Sequence, residues 1–333
     1  AAGGLDSAAV ATIAAASGGG LDSAATLSLT KLNFPNATSI GLGLDALANA
    51  DGSSSENIGI GTAALCTITT GCYNVGLGIG AGCKLTTGTY NTFIGLRAGC
   101  SFTTQHCNIG IGRCALALNT NGTHNIGMGT DALMSTSGSY NVALGFCAGG
   151  AAYSGSQRVF IGRGAGQRNY GGCNIGIGNT ALCGNGSASS VSIHNVAIGS
   201  RSQERSEQGQ HNISLGECSL FSNTNGNMNL SVGQLSLKNN ISGCFNIAVG
   251  VNTGCLITTG GANVAVGTFA GNTITTGCCN IVLGYNAQAS AATVSNEITI
   301  GNTSQTVFRL PGVQAAASSG HIMCYDGTSL VLA

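Results

Sequence analysis

Charge is scarce in this chain: Asp, Glu, Lys and Arg make up 7 % of its 333 residues, where an ordinary domain carries about a quarter. With 11 basic and 11 acidic side chains there is no electrostatic case for nucleic acid or an anionic membrane, both of which need clustered cations. Carboxylates are too dispersed for paired acid–base work, and no nucleophile, base and orienter can be assembled. The chain therefore reads as a non-enzyme with no cofactor. Tryptophan is absent and proline occurs twice. No uninterrupted apolar run reaches the 18 or so residues of a membrane span, so a soluble chain is expected. The Ala-rich start, Ala1 to Ala16, lacks a basic region, contains Asp6 and begins without Met, so it does not read as a signal peptide. No segment sustains a 3.6-residue period, which removes helices from the expectation.

What is abundant is glycine, 55 residues, without the Gly-X-Y period of collagen. It recurs in one phrase: N-I-G-I-G, N-V-G-L-G, N-T-F-I-G, N-I-G-I-G and N-I-G-M-G end on Gly61, Gly78, Gly95, Gly112 and Gly129, each 17 residues after the one before. A fixed period of this size marks a stacked solenoid. Followed outward, the register runs from Gly41 to Gly301 in sixteen coils, with insertions at Asn49 to Ser55 and at Gly184 to Ile193. Within a coil the period-two alternation of Asn246-Ile247-Ala248-Val249-Gly250 predicts a short strand. A second short strand fits after the Ala-Leu or Ala-Gly pair, and Thr-Thr-Gly, as in Thr69-Thr70-Gly71, closes the coil as a turn. The fold class is all-β, a parallel β-solenoid of about 16 coils of 17 residues, making a rod roughly 75 Å long at the spacing of neighbouring strands. Residues 1–36 read as a Gly/Ala/Ser-rich linker or the edge of an upstream array, 37–301 as the shaft and 302–333 as a β-rich cap.

Several columns follow from the register. The Asn that opens each phrase, at Asn57, Asn74, Asn91, Asn108, Asn125, Asn141, Asn174, Asn195, Asn212, Asn229, Asn246, Asn263 and Asn280, is expected to form an internal amide ladder, because its side chain can satisfy turn backbone groups. Glycosylation is the competing reading, since Asn121, Asn185, Asn212, Asn229 and Asn240 begin N-x-S/T sequons; a ladder would block Asn212 and Asn229. Cys66, Cys83 and Cys100 share the place five residues after their glycine. Stacking puts their Cα atoms about 4.8 Å apart, inside the disulfide range, so one bridge and a leftover thiol compete with buried reduced Cys as an apolar filler. No C-x-x-C pair or nearby His supports a metal site. Tyr73, Tyr90, His124, Tyr140, His194, His211 and Phe245 share the slot before the Asn and read as a ladder of flat side chains. Matches to G-x-G-x-x-A, as at Gly59, Gly61 and Ala64, leave no room for the phosphate-facing helix of a dinucleotide site.

The phrases Asn195-Val196-Ala197-Ile198-Gly199, Asn246-Ile247-Ala248-Val249-Gly250 and Asn263-Val264-Ala265-Val266-Gly267 resemble the repeats of trimeric autotransporter adhesin heads. The longer unit that ends on Thr-Thr-Gly is similar to repeats of tail-fibre proteins of bacteriophages and fibre-like proteins of large viruses. Over residues 37–301 the resemblance implies a left-handed parallel β-roll, a homotrimer and an attachment or structural role. In that trimer the small residue between the two aliphatics (Gly59, Gly76, Gly110, Gly127, Ala143, Gly176, Ala197, Ser214, Ala248, Ala265) is expected to face a neighbour, with Phe93 and Phe160 breaking the row. The expected protein is a fibre of a virion or cell surface, whose partners are copies of itself and a surface glycan or receptor. An ice-binding Thr ladder and a purely structural filament are the alternatives. Contacts are expected where the array stops repeating: at the insertion with Asn185 and Ser187, at the neighbouring Arg201, Glu204 and Arg205, and at 302–333.

Overall fold

The computed structural model describes residues 38–151, 154–184 and 192–306, Pro35, and the backbone of three further strands, Leu32–Asn33, Met323–Tyr325 and Leu330–Leu332. After β1 (Leu32–Asn33) come sixteen three-residue strands, one per coil, from β2 (Ile40–Leu42) to β17 (Ile298–Ile300). Each pairs in parallel with the next, and β1 closes the first edge antiparallel to β2. β18 (Met323–Tyr325) and β19 (Leu330–Leu332) form a separate antiparallel pair. Among the described residues there is no helix.

One strand per coil suffices because the in-register hydrogen bonding continues around the bends. Gly78 N–H donates to Ile60 O at 2.7 Å, Gly80 N–H to Thr62 O at 2.9 Å and Leu65 N–H to Ala81 O at 2.9 Å. The expected second strand is replaced by a bend in which every other residue is left-handed, as at Ala63 (φ 56°) and Leu65 (φ 50°). Left-handed geometry is unfavourable for residues with a Cβ. Here it keeps each N–H aimed at a neighbouring coil, Ala63 at Leu44 O behind it and Leu65 at Ala81 O ahead, and drives the Leu side chain inward, so backbone satisfaction and burial outweigh it. The strand ends on the phrase glycine for a stricter reason: Gly61 has φ 122°, and a Cβ there would lie 2.7 Å from the carbonyl carbon of Gly78.

The pairing corrects the register of the first coil. Ile40, Gly41 and Leu42 sit against Ile58, Gly59 and Ile60, so Gly41 is a strand centre and Gly43 is the residue that stacks on Gly61. The expected insertion at Asn49 to Ser55 therefore shrinks to one residue, since Gly43 to Gly61 spans 18.

The orientation of the strand is also the reverse of that expected. Its central residue points into the coil and is buried, while the flanking aliphatics are partly exposed. The interior of so thin a rod takes one strand side chain per coil, and the rest of its volume comes from the bend: Ala64, Leu65 and Ile68 are all fully buried. Phe93 and Phe160, which seemed to interrupt a contact face, are fully buried too. Each is accommodated by a glycine six residues on in the same coil, because a Cβ at Gly99 would meet the Phe93 ring at 2.3 Å and one at Gly166 the Phe160 ring at 2.4 Å. Where the strand centre is Gly59, Gly110 or Gly127, the residue six on is the buried Leu65, Leu116 or Leu133. Volume is thus traded across the coil to keep it close-packed.

Gly99→Ala is therefore expected to destabilise the chain by about 1–3 kcal/mol, read as a lowered denaturation midpoint, and adding Phe93→Leu should restore part of it. Gly52→Ala, where a Cβ meets nothing within 4 Å, should stay within about 0.5 kcal/mol of wild type.

Candidate functional site

Inside the coils the most regular feature is a column of buried asparagine amides. Asn57 Oδ1 accepts from the backbone N–H of Asn74 at 2.9 Å and from Asn74 Nδ2 at 3.1 Å. Asn74 Nδ2 also donates to Gly88 O at 2.8 Å, and Asn74 Oδ1 takes both donors of Asn91. The backbone N–H to Oδ1 bond likewise joins Asn91, Asn108 and Asn125, and later Asn195, Asn212, Asn229, Asn246, Asn263 and Asn280. Each amide fastens the strand entry of one coil to the turn of the next. Asn212 and Asn229 are 0 % and 2 % exposed, which closes those two sequons to glycan.

Arg158 takes the Asn slot of one coil, a substitution sequence reasoning passed over because the phrase Arg158-Val159-Phe160-Ile161-Gly162 lacks its Asn. The side chain is fully buried, donating from Nε to Asn141 Oδ1 at 2.9 Å, from Nη1 to Asn169 O at 3.0 Å and from Nη2 to Thr136 Oγ1 at 2.6 Å. Burial pulls its guanidinium down to about 10. Arginine offers donors only, so the relay of Oδ1 acceptors stops here and resumes at Asn174, whose Oδ1 accepts from Asn195 N–H at 2.8 Å. Further along the apolar core thins. Ser202 and Ser214 pair at 2.6 Å, Gln203 Nε2 donates to Ser214 Oγ at 2.8 Å, and Ser219 donates to Ser231 at 2.7 Å, all buried.

Outside, the sheet presents two columns of aliphatic side chains along all sixteen coils, in which Thr92 is the single polar residue. Met128, Ile198 and Val266 are 41 %, 40 % and 39 % exposed. One edge of this face is bordered by the residue before each Asn, held left-handed. There Tyr73 stacks on Tyr90 at 4.8 Å, His124 on Tyr140 at 4.9 Å and His194 on His211 at 4.8 Å between ring centroids. The flat ladder comes in pairs, separated by residues such as Cys107 and Gln157.

Of the residues expected to recognise a partner, Asn185 and Ser187 lie outside the described residues, as do the last residues of the cap apart from its two strands. Arg201 pairs with Glu204 at 2.6 Å, and the guanidinium carbons of Arg201 and Arg205 lie 4.7 and 5.0 Å from the centre of the Phe221 ring. The first Thr of each pair is spent on backbone: Thr69 and Thr86 hydroxyls donate to Thr86 O and Thr103 O, and Thr258 and Thr275 hydroxyls to Thr275 O and Ala292 O, while Thr70, Thr87, Thr259 and Thr276 are exposed. Every described cysteine carries a free thiol and is half-buried or exposed, which corrects the expectation of buried fillers: five residues after the glycine the chain is on the outside of the bend. Cys66, Cys83 and Cys100 are stacked there, each thiol donating to a carbonyl one coil on, at 3.3, 3.6 and 3.4 Å. Among the described residues no group of three or more His, Cys, Asp or Glu could hold a metal ion, and no helix is long and apolar enough to cross a membrane.

Compared with family models, with curated proteins and with solved structures, the chain matches none.

Asn91→Ala would strand Asn108 N–H and Gln105 O at buried positions, while Asn108 Nδ2 keeps His106 O and Gly122 O. At about 1–3 kcal/mol for each orphaned group, the expected loss is at least about 2 kcal/mol, with faster hydrogen exchange at the Asn108 backbone amide. Thr87→Ala, on the exposed side of the same coil, should leave both unchanged.

Proposed function

We propose that this chain is the shaft of a non-enzymatic fibre of a virion or cell surface, assembled as a left-handed homotrimer whose three sheets pack about a common axis, and serving attachment. The observation that carries the reading is the aliphatic face. At about 4.8 Å per strand and 3.3 Å per residue, sixteen three-residue strands make a flat strip of roughly 750 Å². That exceeds the largest apolar patch of a typical monomer, about 300–600 Å², and equals the roughly 800 Å² that each partner contributes to a standard interface. The natural occupant is a second copy of the chain, because a strip of this length and uniform spacing is matched by an identical strip in register. Burial there supplies what the thin interior of a single coil lacks.

In this reading the regular outer columns assemble the shaft, and the irregular places contact a surface glycan or receptor: the insertion with Asn185 and Ser187, the Arg201, Glu204 and Arg205 group beside it, and the C-terminal segment. Loops carried on a rigid scaffold are where recognition usually resides. The Thr pairs give an ice-binding reading less support, since the hydroxyls of Thr69, Thr86, Thr258 and Thr275 are committed to backbone carbonyls, which leaves one Thr of each of these pairs to solvent.

Light scattering on the purified protein should return three chain masses. Substituting Ile109 and Ile111, which flank a buried strand centre and point outward, by Lys should yield the monomer while the far-ultraviolet circular dichroism stays that of a β-solenoid. A wild-type monomer, or a double variant that remains a trimer, would dismiss assembly through this face.

A further inference from the structure

The Cys66, Cys83 and Cys100 column is unlike the other thiols because its members occupy equivalent places in successive coils. The strands that fix this register are paired residue for residue, Val75 with Thr92 and Leu77 with Ile94, and the bend keeps it, with Gly82 N–H donating to Ala98 O at 2.9 Å. Neighbouring Cα atoms in such a stack lie about 4.8 Å apart, within the 4.4–6.8 Å that a disulfide spans. Geometry alone allows either Cys66–Cys83 or Cys83–Cys100.

The surroundings distinguish the two. Cys83 Sγ donates to Cys100 O at 3.6 Å, which sets the Cys83 side chain against that residue. The neighbouring Cys83 thiol, followed by the positive charges of Arg97 and Lys84 and the Ser101 hydroxyl, brings the Cys100 thiol down to about 6 in spite of partial burial. The Cys83 thiol is pushed far above its ordinary value by Cys100 and by desolvation. Cys66 is raised by desolvation, with the nearby Asp45 carboxylate adding to the effect. The nucleophilic form of a cysteine is its thiolate, so the cations beside Cys100 make it the member of the column most readily activated, and the carboxylate beside Cys66 makes that thiol the least so.

We propose that Cys83 and Cys100 form a redox site that closes to an inter-coil disulfide by exchange with a low-molecular-weight disulfide, leaving Cys66 as a thiol. In the first step Cys100 Sγ attacks one sulfur of the small disulfide, the S–S bond breaks, and one small thiol departs with the electron pair and takes up a proton. In the second, Cys83 loses its proton to solvent and attacks Cys100 Sγ in the mixed disulfide, expelling the second small thiol. The two protein thiols are oxidised by two electrons and the reagent is reduced to two thiols. The bridge ties adjacent coils across a 17-residue loop and goes beyond the fibre reading, since it does not depend on assembly.

The test treats the fully reduced chain with oxidised glutathione at neutral pH, then alkylates and maps the peptides without reduction. A Cys83–Cys100 linked peptide, with Cys66 alkylated, is expected, and Cys66→Ser should leave it unchanged. Cys83→Ser should instead trap glutathione on Cys100. The iodoacetamide rate at Cys100 in the reduced chain should reach half its maximum near pH 6, and Arg97→Gln should move that midpoint upward. A Cys66–Cys83 peptide, glutathione persisting on Cys100 of the wild type, all three thiols alkylated, or a midpoint at Cys100 no lower than at Cys66 would each overturn the assignment.

Discussion

Thirteen of the sixteen coils of this chain depend on a buried asparagine amide at the strand entry that joins one coil to its neighbour. Inside a rod of this width there is no water to satisfy the backbone N–H at the strand entry or the carbonyl at the turn, and each unpaired group would cost about 1–3 kcal/mol. One side chain meets both needs, taking the next Asn N–H on Oδ1 and giving Nδ2 to a turn carbonyl. The arrangement works only when coils are aligned residue for residue, so the ladder penalises any slip. Arg158 shows the rule by departing from it. It can donate to Asn141 but has nothing to offer Asn174, and the following amide turns instead to Asn169 Oδ1 at 3.0 Å and Ser192 O at 2.7 Å.

With register fixed in this way, packing becomes a local matter within each coil. A ring at Phe93 is balanced by Gly99, and the coil before it, which has glycine at both Gly76 and Gly82, is filled from either side by Leu65 and Phe93. Polar substitution is handled by the same proximity. Ser214 and Ser231 replace small apolar residues at the strand centre, and their hydroxyls are met by Ser202 and Ser219 from the bend. Between the two large apolar clusters, one running from Leu47 to Ala165 and the other from Leu220 to Ala289, lie the small cluster of Ala181, Leu182 and Ala197 and the first of these buried hydroxyl pairs.

The period, the single-coil repeat and the slot occupied by Asn were legible in the sequence, because each rests on residue types that only one backbone environment accepts. Which side of the strand faces in was not. In Asn246-Ile247-Ala248-Val249-Gly250 the alternation separates two aliphatics from one alanine, and hydrophobicity alone sends the aliphatics inward. What decides the matter is volume: Leu and Ile from the bend already fill the coil, and their place there follows from left-handed turns that no propensity scale favours. A readable signal did exist in the anticorrelation at a spacing of six, Phe93 with Gly99, Phe160 with Gly166, Gly59 with Leu65 and Gly176 with Leu182, which marks two positions sharing one cavity. The first coil was misread because Ser39-Ile40-Gly41-Leu42-Gly43 holds two glycines, and only pairing with the next strand tells the inward one from the one that ends the strand.

The same division of labour explains why the outer face can be so regular while the rest of the coil varies. Size changes are absorbed inside, within a coil or by its immediate neighbour, so they do not propagate to the flanking strand positions. Insertions leave the strand pairing in register: Ile175 still pairs with Val196 and Ile177 with Ile198 although 21 residues separate them instead of 17. The aliphatic strip thus crosses the longest interruption of the array without a change of phase. A face kept uniform through every irregularity of the chain behind it is what the proposed assembly requires, since there an identical strip would have to match it strand for strand.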